Sequence, residues 1–368
     1  MSELNPQTIS GPLKQNSYPI WIQREIVEHI HELLNPLNKG QKWFLLTPTP
    51  IFKLYGKQIV EYLKQHQFEI IPILLEDGEA VKSFHYFEKY CRELVQKGCN
   101  RDSYLIALGG GVTGDLTGFI ASSLYRGVNY IQMPTTLLAM VDSSIGGKTG
   151  INIEEGKNLI GAFHHPKAVI IDPKFLDTLP HREVISGMGE VLKYGIIQDK
   201  KIMDLFINFN NIGLKLDSSE LEEMIFRSIN VKIDIVAKDV NETDLRRILN
   251  FGHTVGHIIE ASTNYNYISH GEAVMYGMII ALKLSVQYCN LDEKYAHKTI
   301  SILKEIIETE LPEIEEEQFM QFLMRDKKVA NNKINFILLN KQGLPEIREN
   351  IEIKIIYNTY QNYCRSLK

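Results

Sequence analysis

The segment that decides the fold reads Ser103-Tyr-Leu-Ile-Ala-Leu-Gly109-Gly-Gly-Val-Thr-Gly-Asp115. A short apolar run that ends at glycines predicts a strand buried on both faces, followed by a turn into a helix. Gly109, Gly111 and Gly114 match the spacing G-x-G-x-x-G, in which backbone amides and the amino end of a helix bind phosphate. We predict a phosphate-binding turn here; a tight turn without a ligand is the alternative.

Strand and helix patterns alternate on both sides of this turn. Apolar runs predict strands at residues 18–22, 43–47, 68–75, 103–108, 130–133 and 168–172, with helices between them. The turn follows the fourth of these strands, and no acidic residue follows the next strand at Met133-Pro-Thr135. This order favours a phosphate cradle in a Rossmann-like parallel sheet over a standard dinucleotide fingerprint.

Helical periodicity dominates the second half of the chain. It predicts helices at residues 183–198, 200–209, 218–238, 245–262, 271–289, 294–308 and 316–325, and a late strand or hairpin at 334–339. We therefore predict an α/β domain over residues 1–178 and an all-α-rich domain over 179–368. An active site is expected in the cleft between the two domains.

Composition excludes several classes of protein. The 368 residues are 44% hydrophobic and 23% charged, which is typical of a globular chain with two domains. A net charge of -5 gives no electrostatic attraction to nucleic acid or to an anionic membrane. The polar first residues do not resemble a signal peptide, and the four cysteines have no CxxC spacing. We expect a cytoplasmic protein without a membrane span.

Three histidines and one glutamate, each close to glycine, predict a metal site. They lie in Gly189-Glu190, in Gly252-His253-Thr-Val-Gly-His257 and in His270-Gly271. One carboxylate and two imidazoles are the ligands of catalytic zinc that keeps a position open for substrate. We predict Glu190, His253 and His270 as ligands and His257 as a supporting or acid–base group. Buried, hydrogen-bonded histidines without metal are the alternative.

Two further lysine-containing segments point to an anionic ligand. Asp142-Ser-Ser-Ile-Gly-Gly-Lys148 has the composition of a phosphate-binding loop without its glycine spacing, and Gly156-Lys157-Asn158 follows closely. They predict contacts with a phosphorylated, polyhydroxylated small molecule; a nucleoside triphosphate or a loop without a ligand are alternatives.

Two sets of charged residues also fit an explanation that involves no functional site. Glu190 and Lys193 stand three residues apart on a predicted helix, a spacing typical of surface ion pairs. The neighbouring glycines argue against that explanation, since a solvated helix gains nothing from them. Asp326-Lys-Lys328 would ordinarily be the charged end of a helix.

Together these motifs resemble the 3-dehydroquinate synthase family. The resemblance rests on Gly109–Leu116, Pro134–Asn152, Gly187–Gly195 and Leu249–His257, and extends from about residue 43 to 340. It implies a homodimeric lyase of the shikimate pathway that uses NAD and zinc, or cobalt in place of zinc. That family converts 3-deoxy-D-arabino-heptulosonate 7-phosphate to 3-dehydroquinate through transient oxidation, phosphate elimination, re-reduction and aldol closure.

The resemblance also assigns roles to residues. The zinc ligands fall on the same three side chains as above. Substrate contacts fall on Asp142, Lys148, Asn158, Lys193, Lys232, Arg246, Asn250, His257 and Lys328. Arg126 corresponds to an arginine that reaches the phosphate pocket of the neighbouring subunit. NAD contacts fall on Glu79, Lys82, Gly110, Gly111, Asp115, Thr135, Thr136, Leu138, Asp142, Lys148, Lys157, Phe175 and Thr178.

The chain departs from the family pattern at a few positions. Pro48 stands where an acidic residue holds the adenosine ribose, and Val240 and Asp244 replace glutamate and glycine. The alternatives are another sugar-phosphate cyclase, a metal-dependent polyol dehydrogenase and a binding protein without activity. Arg246 and Lys328 favour a substrate that carries a carboxylate.

Overall fold

The computed structural model describes residues 4–12, 17–211, 213–239, 245–264, 266–324, 329–330, 333–341 and 343–368. Lys328, Val240 and Asp244 lie outside the described residues. The chain divides into two compact units, Met1–Leu179 and Pro180–Lys368. The first is an α/β unit and the second is rich in helix, as the sequence predicted.

The first unit is built on one sheet. Its strands are β1 (Gln7–Ser10), β2 (Pro19–Ile22), β3 (Lys42–Pro48), β4 (Glu69–Leu75), β5 (Tyr104–Gly109), β6 (Asn129–Pro134) and β9 (Ala168–Ile171). Among the described residues they pair in the order β1-β2-β9-β6-β5-β3-β4, and every pair except β1 with β2 is parallel. A separate hairpin joins β7 (Lys148–Ile153) and β8 (Gly156–Phe163).

Helices follow most strands of this unit. They are α1 (Ile30–Leu34), α2 (Thr49–Ile51), α3 (Lys57–Gln65), α4 (Phe84–Gln96) and α5 (Gly111–Ser123). Apolar residues of the sheet, among them Phe44 and Leu105, form a core with Leu116 and Ile120 of α5. Burial of the sheet explains why β5 has no polar alternation: all six of its residues are buried.

The second unit consists mainly of helices. They are α6 (His181–Ile197), α7 (Lys200–Asn211), α8 (Ser219–Lys238), α9 (His253–Ser262), α10 (His270–Cys289), α11 (Glu293–Ile306), α12 (Glu316–Met324) and α13 (Ile353–Ser366). Strands β10 (Val329–Ala330), β11 (Lys333–Leu339) and β12 (Pro345–Glu352) form a small antiparallel sheet. No helix in the described ranges combines the length and the apolar character that a bilayer crossing requires.

One predicted helix is wrong. Residues 245–262 do not form a single helix, because a 3-10 segment, Leu245–Asn250, ends before α9 begins at His253. Gly252 between them has a φ of 81°, a left-handed conformation that interrupts an α-helix. The hairpin β7–β8, the strand β12 and the helix α13 were not predicted.

Candidate active site

Three helices of the second unit bring Glu190, His253 and His270 together. Glu190 is fully buried within α6, while the two histidines are the first residues of α9 and α10. Oε1 of Glu190 lies 3.4 Å from Nε2 of His253 and 3.7 Å from Nε2 of His270. Donor atoms of all three residues lie within 4.8 Å of one another. One carboxylate oxygen and two imidazole nitrogens at this spacing fit a single divalent metal ion.

Glycines allow these helices to approach so closely. A Cβ atom added at Gly271, next to His270, would lie 1.9 Å from the carbonyl oxygen of Ser186 in α6. A Cβ added at Gly277 of α10 would lie 1.8 Å from the carbonyl oxygen of Gly252. Real side chains do not tolerate such distances, so the backbones of α6, α9 and α10 meet only where glycine is present. Main-chain contacts therefore set the separation of the three proposed ligands.

Charged neighbours orient the cluster. Nζ of Lys193 donates a hydrogen bond to Oε2 of Glu190, and both side chains are buried. The carboxylate thus uses one oxygen for the lysine and turns the other towards the two imidazoles. The Glu190–Lys193 pair is therefore not a surface ion pair. On the opposite side, Nδ1 of His270 lies 3.2 Å from Oε2 of Glu260, which leaves Nε2 of His270 on the side of Glu190.

The two histidines have different charge preferences. Burial, with the positive charge of Lys193, lowers the pKa of His253 to about 3, so this imidazole is neutral and can donate a lone pair. Burial also disfavours charge on His270, but the carboxylates of Glu260 and Glu190 raise its pKa to about 10. A carboxylate on each side of this ring favours a cation there, as a protonated imidazole or as a bound metal ion.

Other predicted substrate residues lie in the same unit. The ring of His257 is 5.4 Å from that of His253, on an exposed position of α9. Lys232 of α8 and Arg246 are 5% and 3% exposed, which is rare for cationic side chains. Asn250 ends the 3-10 segment two residues before Gly252.

In the first unit, Lys82 is the centre of a polar cluster. Its ammonium group lies 2.7 Å from Oδ2 of Asp115 and also contacts Oδ1 of Asn158, although the lysine is only 3% exposed. Oε1 of Glu79 lies 3.9 Å from the same ammonium group and accepts a hydrogen bond from the side chain of Asn152 at 2.7 Å. The structure thus brings together residues that the sequence analysis assigned separately. Lys82, Glu79 and Asp115 were assigned to the cofactor, and Asn158 was assigned to the substrate.

The glycine-rich turn lies where a parallel sheet binds its ligands. The chain forms β4 on one side of β3 and then β5 on the other, so the strand order reverses between β3 and β5. Ligands of open α/β sheets bind beyond the carboxyl ends of the strands at such a point. Gly110 and Gly111 follow β5 there, at the amino end of α5. The hydroxyl of Thr135 at the end of β6 is buried and finds no hydrogen-bond partner in the described part of the chain.

The remaining predicted residues of this unit lie on neighbouring elements. The Thr136 hydroxyl accepts a hydrogen bond from the amide of Ala139, in the short helical segment that also contains Asp142. Leu138 precedes this segment, and Lys157 lies in β8. Asp115, Lys148 and Asn158 line a cavity of about 440 Å³ along the hairpin. Arg126 is exposed in the turn after α5, and Phe175 and Thr178 lie in a 3-10 segment where both contact Tyr55.

Two supporting residues were not predicted from the sequence. Glu260 orients His270, and it lies seven residues after His253, a spacing that returns to the same face of α9. Asn152 accepts a hydrogen bond from the amide of Asn158 at 2.8 Å, in addition to its bond to Glu79. The heptad spacing was a usable signal for Glu260, whereas the hairpin that places Asn152 was not visible in the sequence.

Comparison with known proteins identifies the family of the chain. Residues 72–186 match the family model described as 3-dehydroquinate synthase N-terminal, and residues 187–329 match the one described as 3-dehydroquinate synthase C-terminal. The chain belongs to the 3-dehydroquinate synthase family. A relative from Prochlorococcus marinus (strain MIT 9312), named 3-dehydroquinate synthase, is 40% identical over 354 residues, 95% of this chain and 98% of the relative. The family predicted from the sequence is thereby confirmed, and so is the activity that this family shares.

Two solved structures share the fold of this chain. A 2-epi-5-epi-valiolone synthase from Streptomyces hygroscopicus subsp. jinggangensis 5008, with NAD+ and Zn2+ bound, is 24% identical with a TM-score of 0.87 and covers 96% of this chain and 98% of its own. A 2-deoxy-scyllo-inosose synthase complexed with carbaglucose-6-phosphate, NAD+ and Co2+ is 22% identical, with a TM-score of 0.84. The match covers 97% of this chain and 99% of that synthase. At these identities the likeness shows the fold alone, which agrees with the architecture expected from 3-dehydroquinate synthase membership.

Proposed function

We propose that this protein converts 3-deoxy-D-arabino-heptulosonate 7-phosphate to 3-dehydroquinate and phosphate, with NAD and a divalent metal ion as cofactors. The convergence of Glu190, His253 and His270 is the observation that carries this proposal, because it supplies a complete open-sided ligand set. The family of the chain selects the substrate among those that such a metal site could serve. The reaction makes the enzyme a carbon–oxygen lyase of the shikimate pathway, which leads to chorismate and aromatic amino acids.

The residues present fit both cofactors. The three ligands would hold zinc, or cobalt, with Glu260 fixing the ring of His270. Gly110 and Gly111 form the amino end of α5, where backbone amides would bind a pyrophosphate, and the buried Thr135 hydroxyl offers a further donor. The bound metal supplies Lewis acidity towards a substrate alcohol, and bound NAD supplies a reversible hydride acceptor.

The side chains of the protein would bind and orient the substrate. Cationic and amide side chains are suited to binding an anion. We therefore assign the phosphate of the substrate to the cations Lys148, Lys193 and Arg126 and to the amide of Asn158. Arg246 would bind the carboxylate, together with Lys328, which lies outside the described residues. His257 and Asn250 would orient hydroxyl groups and move protons between them, and Lys232 and Asp142 would complete the substrate contacts.

We likewise propose the NAD contacts from the positions that bind NAD in the family. The cluster of Lys82, Glu79 and Asp115 supports it, because these side chains lie together with Asn158. The remaining contacts assigned to NAD are Thr136, Leu138, Asp142, Lys148, Lys157, Phe175 and Thr178. A cytoplasmic location and the absence of nucleic-acid partners stay predictions from the sequence.

Phosphate release tests the function directly. Purified protein should release inorganic phosphate from the heptulosonate phosphate only when NAD and metal are present, and a chelator should stop the reaction. Because the hydride returns to the product, NADH should not accumulate. Steady NADH production without phosphate release would instead identify a polyol dehydrogenase. Turnover of a hexose or heptulose phosphate that lacks a carboxylate, with none of the heptulosonate phosphate, would identify another cyclase.

We also propose a homodimer in which Arg126 serves the partner's site. A mixture of two inactive variants tests this arrangement. In a mixed dimer of Arg126→Ala and His253→Ala subunits, the Arg126→Ala subunit keeps its metal ligands and receives Arg126 from its partner. Reassembly of an equal mixture should restore about a quarter of the wild-type activity, since half of the dimers are mixed and each has one complete site. No recovery in demonstrably mixed dimers would place Arg126 in its own subunit's site.

A further inference from the structure

The turn between α5 and β6 has an unusual backbone. Tyr125 has φ 51° and ψ 23°, and Arg126 has a φ of 66°. Both values are left-handed, a conformation that costs energy for any residue with a side chain. Gly127 has a φ of 123°, which glycine adopts without strain because it has no Cβ atom. Two consecutive strained residues persist only where surrounding contacts hold them, and such strain is concentrated at functional sites.

A side-chain hydrogen bond holds this turn. The hydroxyl of Tyr125 donates to the carbonyl oxygen of Cys99 at 2.9 Å, in the connection between α4 and β5. Tyr125 is 39% exposed, so it is not a core residue, and this hydrogen bond is a specific contact that fixes its position. Backbone bonds close the turn on the other side, from the amide of Gly127 to Leu124 and from that of Val128 to Ala121.

The residue that the turn presents is Arg126. Its side chain is exposed and makes no hydrogen bond or ion pair with any residue that the structure describes. The strain at Arg126 is therefore not balanced by an interaction of its own side chain within the described chain. A guanidinium group presented in this way is suited to an anion from outside, and a phosphate accepts its planar fork of donors.

We propose that Tyr125 is a positioning residue that holds Arg126 ready for the phosphate of the substrate. This inference rests on the proposed function, in which Arg126 binds that phosphate. Tyr125 acts through the backbone: its hydroxyl ties the turn to Cys99, which keeps the strained conformation and so the direction of the arginine. Because the hydroxyl donates to Cys99, we assign it no contact with substrate or cofactor.

Calorimetric titration of inorganic phosphate into the NAD- and zinc-loaded protein tests this role. Arg126→Ala should weaken phosphate binding on the order of 30-fold, because a charge-assisted hydrogen bond is lost. Tyr125→Phe keeps the ring and removes only the hydroxyl, and should weaken binding roughly fivefold. In the Arg126→Ala background, Tyr125→Phe should have no further effect, which a general loss of structure would not produce. Tyr360→Phe removes a similar bond, from a tyrosine hydroxyl to the carbonyl of Pro312, and should leave phosphate binding unchanged.

The outcomes separate the inference from the proposed function. Wild-type phosphate affinity in Arg126→Ala would overturn the assignment of Arg126 to the phosphate, on which the inference depends. Weak binding in Arg126→Ala with wild-type affinity in Tyr125→Phe would overturn only the role of Tyr125. An equal effect of Tyr125→Phe with and without Arg126 would also overturn it, because the tyrosine would then act independently of the arginine.

Discussion

The two clusters of proposed site residues in this protein are held together in different ways. In the helical unit, Glu190, His253 and His270 are placed by helices whose backbones touch at glycines. In the α/β unit, the cluster around Lys82 joins a loop, a helix and a hairpin through side-chain hydrogen bonds. The geometry of a site can thus be fixed by the main chain or by side chains. The two kinds of site should therefore respond to different substitutions.

Removal of a proposed ligand should have the largest effect. His253→Ala leaves one carboxylate and one imidazole, so metal binding and turnover should be lost together. Phosphate release should fall more than about 1000-fold, since a Lewis-acid metal contributes several kcal/mol to the transition state. Elemental analysis and the phosphate assay measure the two effects. His181→Ala, which removes an exposed imidazole paired with Glu308, should change neither. A metal-replete, active His253→Ala protein would refute the assignment.

A methyl group between the helices should disturb the same site without touching a ligand. Gly271→Ala forces the backbones of α6 and α10 apart, and we expect a loss of about 3 kcal/mol in the free energy of unfolding. Gly256→Ala is the graded control, because its added Cβ would lie 3.1 Å from the nearest atom rather than 1.9 Å. It should cost about 1 kcal/mol. Urea denaturation and zinc titration of both variants measure the effects; equal losses would show that helix separation does not control the site.

Glu260→Gln tests whether the orientation of His270 matters for the metal. The amide keeps a hydrogen-bond acceptor for Nδ1 but removes the negative charge, so zinc affinity should fall about tenfold to 100-fold. The free energy of unfolding of the metal-free protein should change far less than in Gly271→Ala. Zinc competition with a chelating dye measures the affinity. Glu308→Gln provides the control, since within the described ranges that carboxylate forms an exposed pair with His181 and no contact with the proposed ligands. Unchanged affinity in Glu260→Gln would remove this residue from the site.

The smallest effect is expected in the α/β unit. Lys82→Met removes the ammonium group that joins Asp115 to Asn158, and NAD affinity should fall about tenfold, because the cluster loses the cation that holds its members together. Zinc affinity should not change. Lys89→Met, which breaks a surface pair with Glu76, should alter neither affinity. Fluorescence titration with NADH and zinc titration measure the two affinities. A parallel loss of zinc binding in Lys82→Met would show that the two clusters are not independent.

Local patterns in the sequence predicted much of the fold. Buried apolar runs such as Tyr104–Leu108 indicated the parallel sheet, and helical periodicity indicated α6, α8 and α10 close to their observed bounds. The break at Gly252 was missed because a glycine within a periodic pattern shows its left-handed conformation only when tertiary contacts select it. The β7–β8 hairpin was missed because its glycines and polar residues resemble a phosphate-binding loop.

The candidate site was predictable to a similar extent. Glycines beside Glu190, His253 and His270 separated these residues from ordinary surface and core residues. Glu260 has no glycine beside it, and its seven-residue spacing from His253 is a weak signal, because a glutamate within a helix is usually solvated. Only the packing of α10 against α9 places His270 beside it. Pairing between distant segments is the information that local patterns lack.

The close contacts at Gly271 and Gly277 have a consequence for how this enzyme can evolve. Neither residue has a side chain to offer an ion, yet almost any replacement there would collide with a backbone oxygen. Random mutagenesis followed by selection for growth should therefore return these two codons nearly unchanged. Tolerance maps of the gene would mark them as strictly as the proposed ligands, although their contribution to the chemistry is only the space they leave empty.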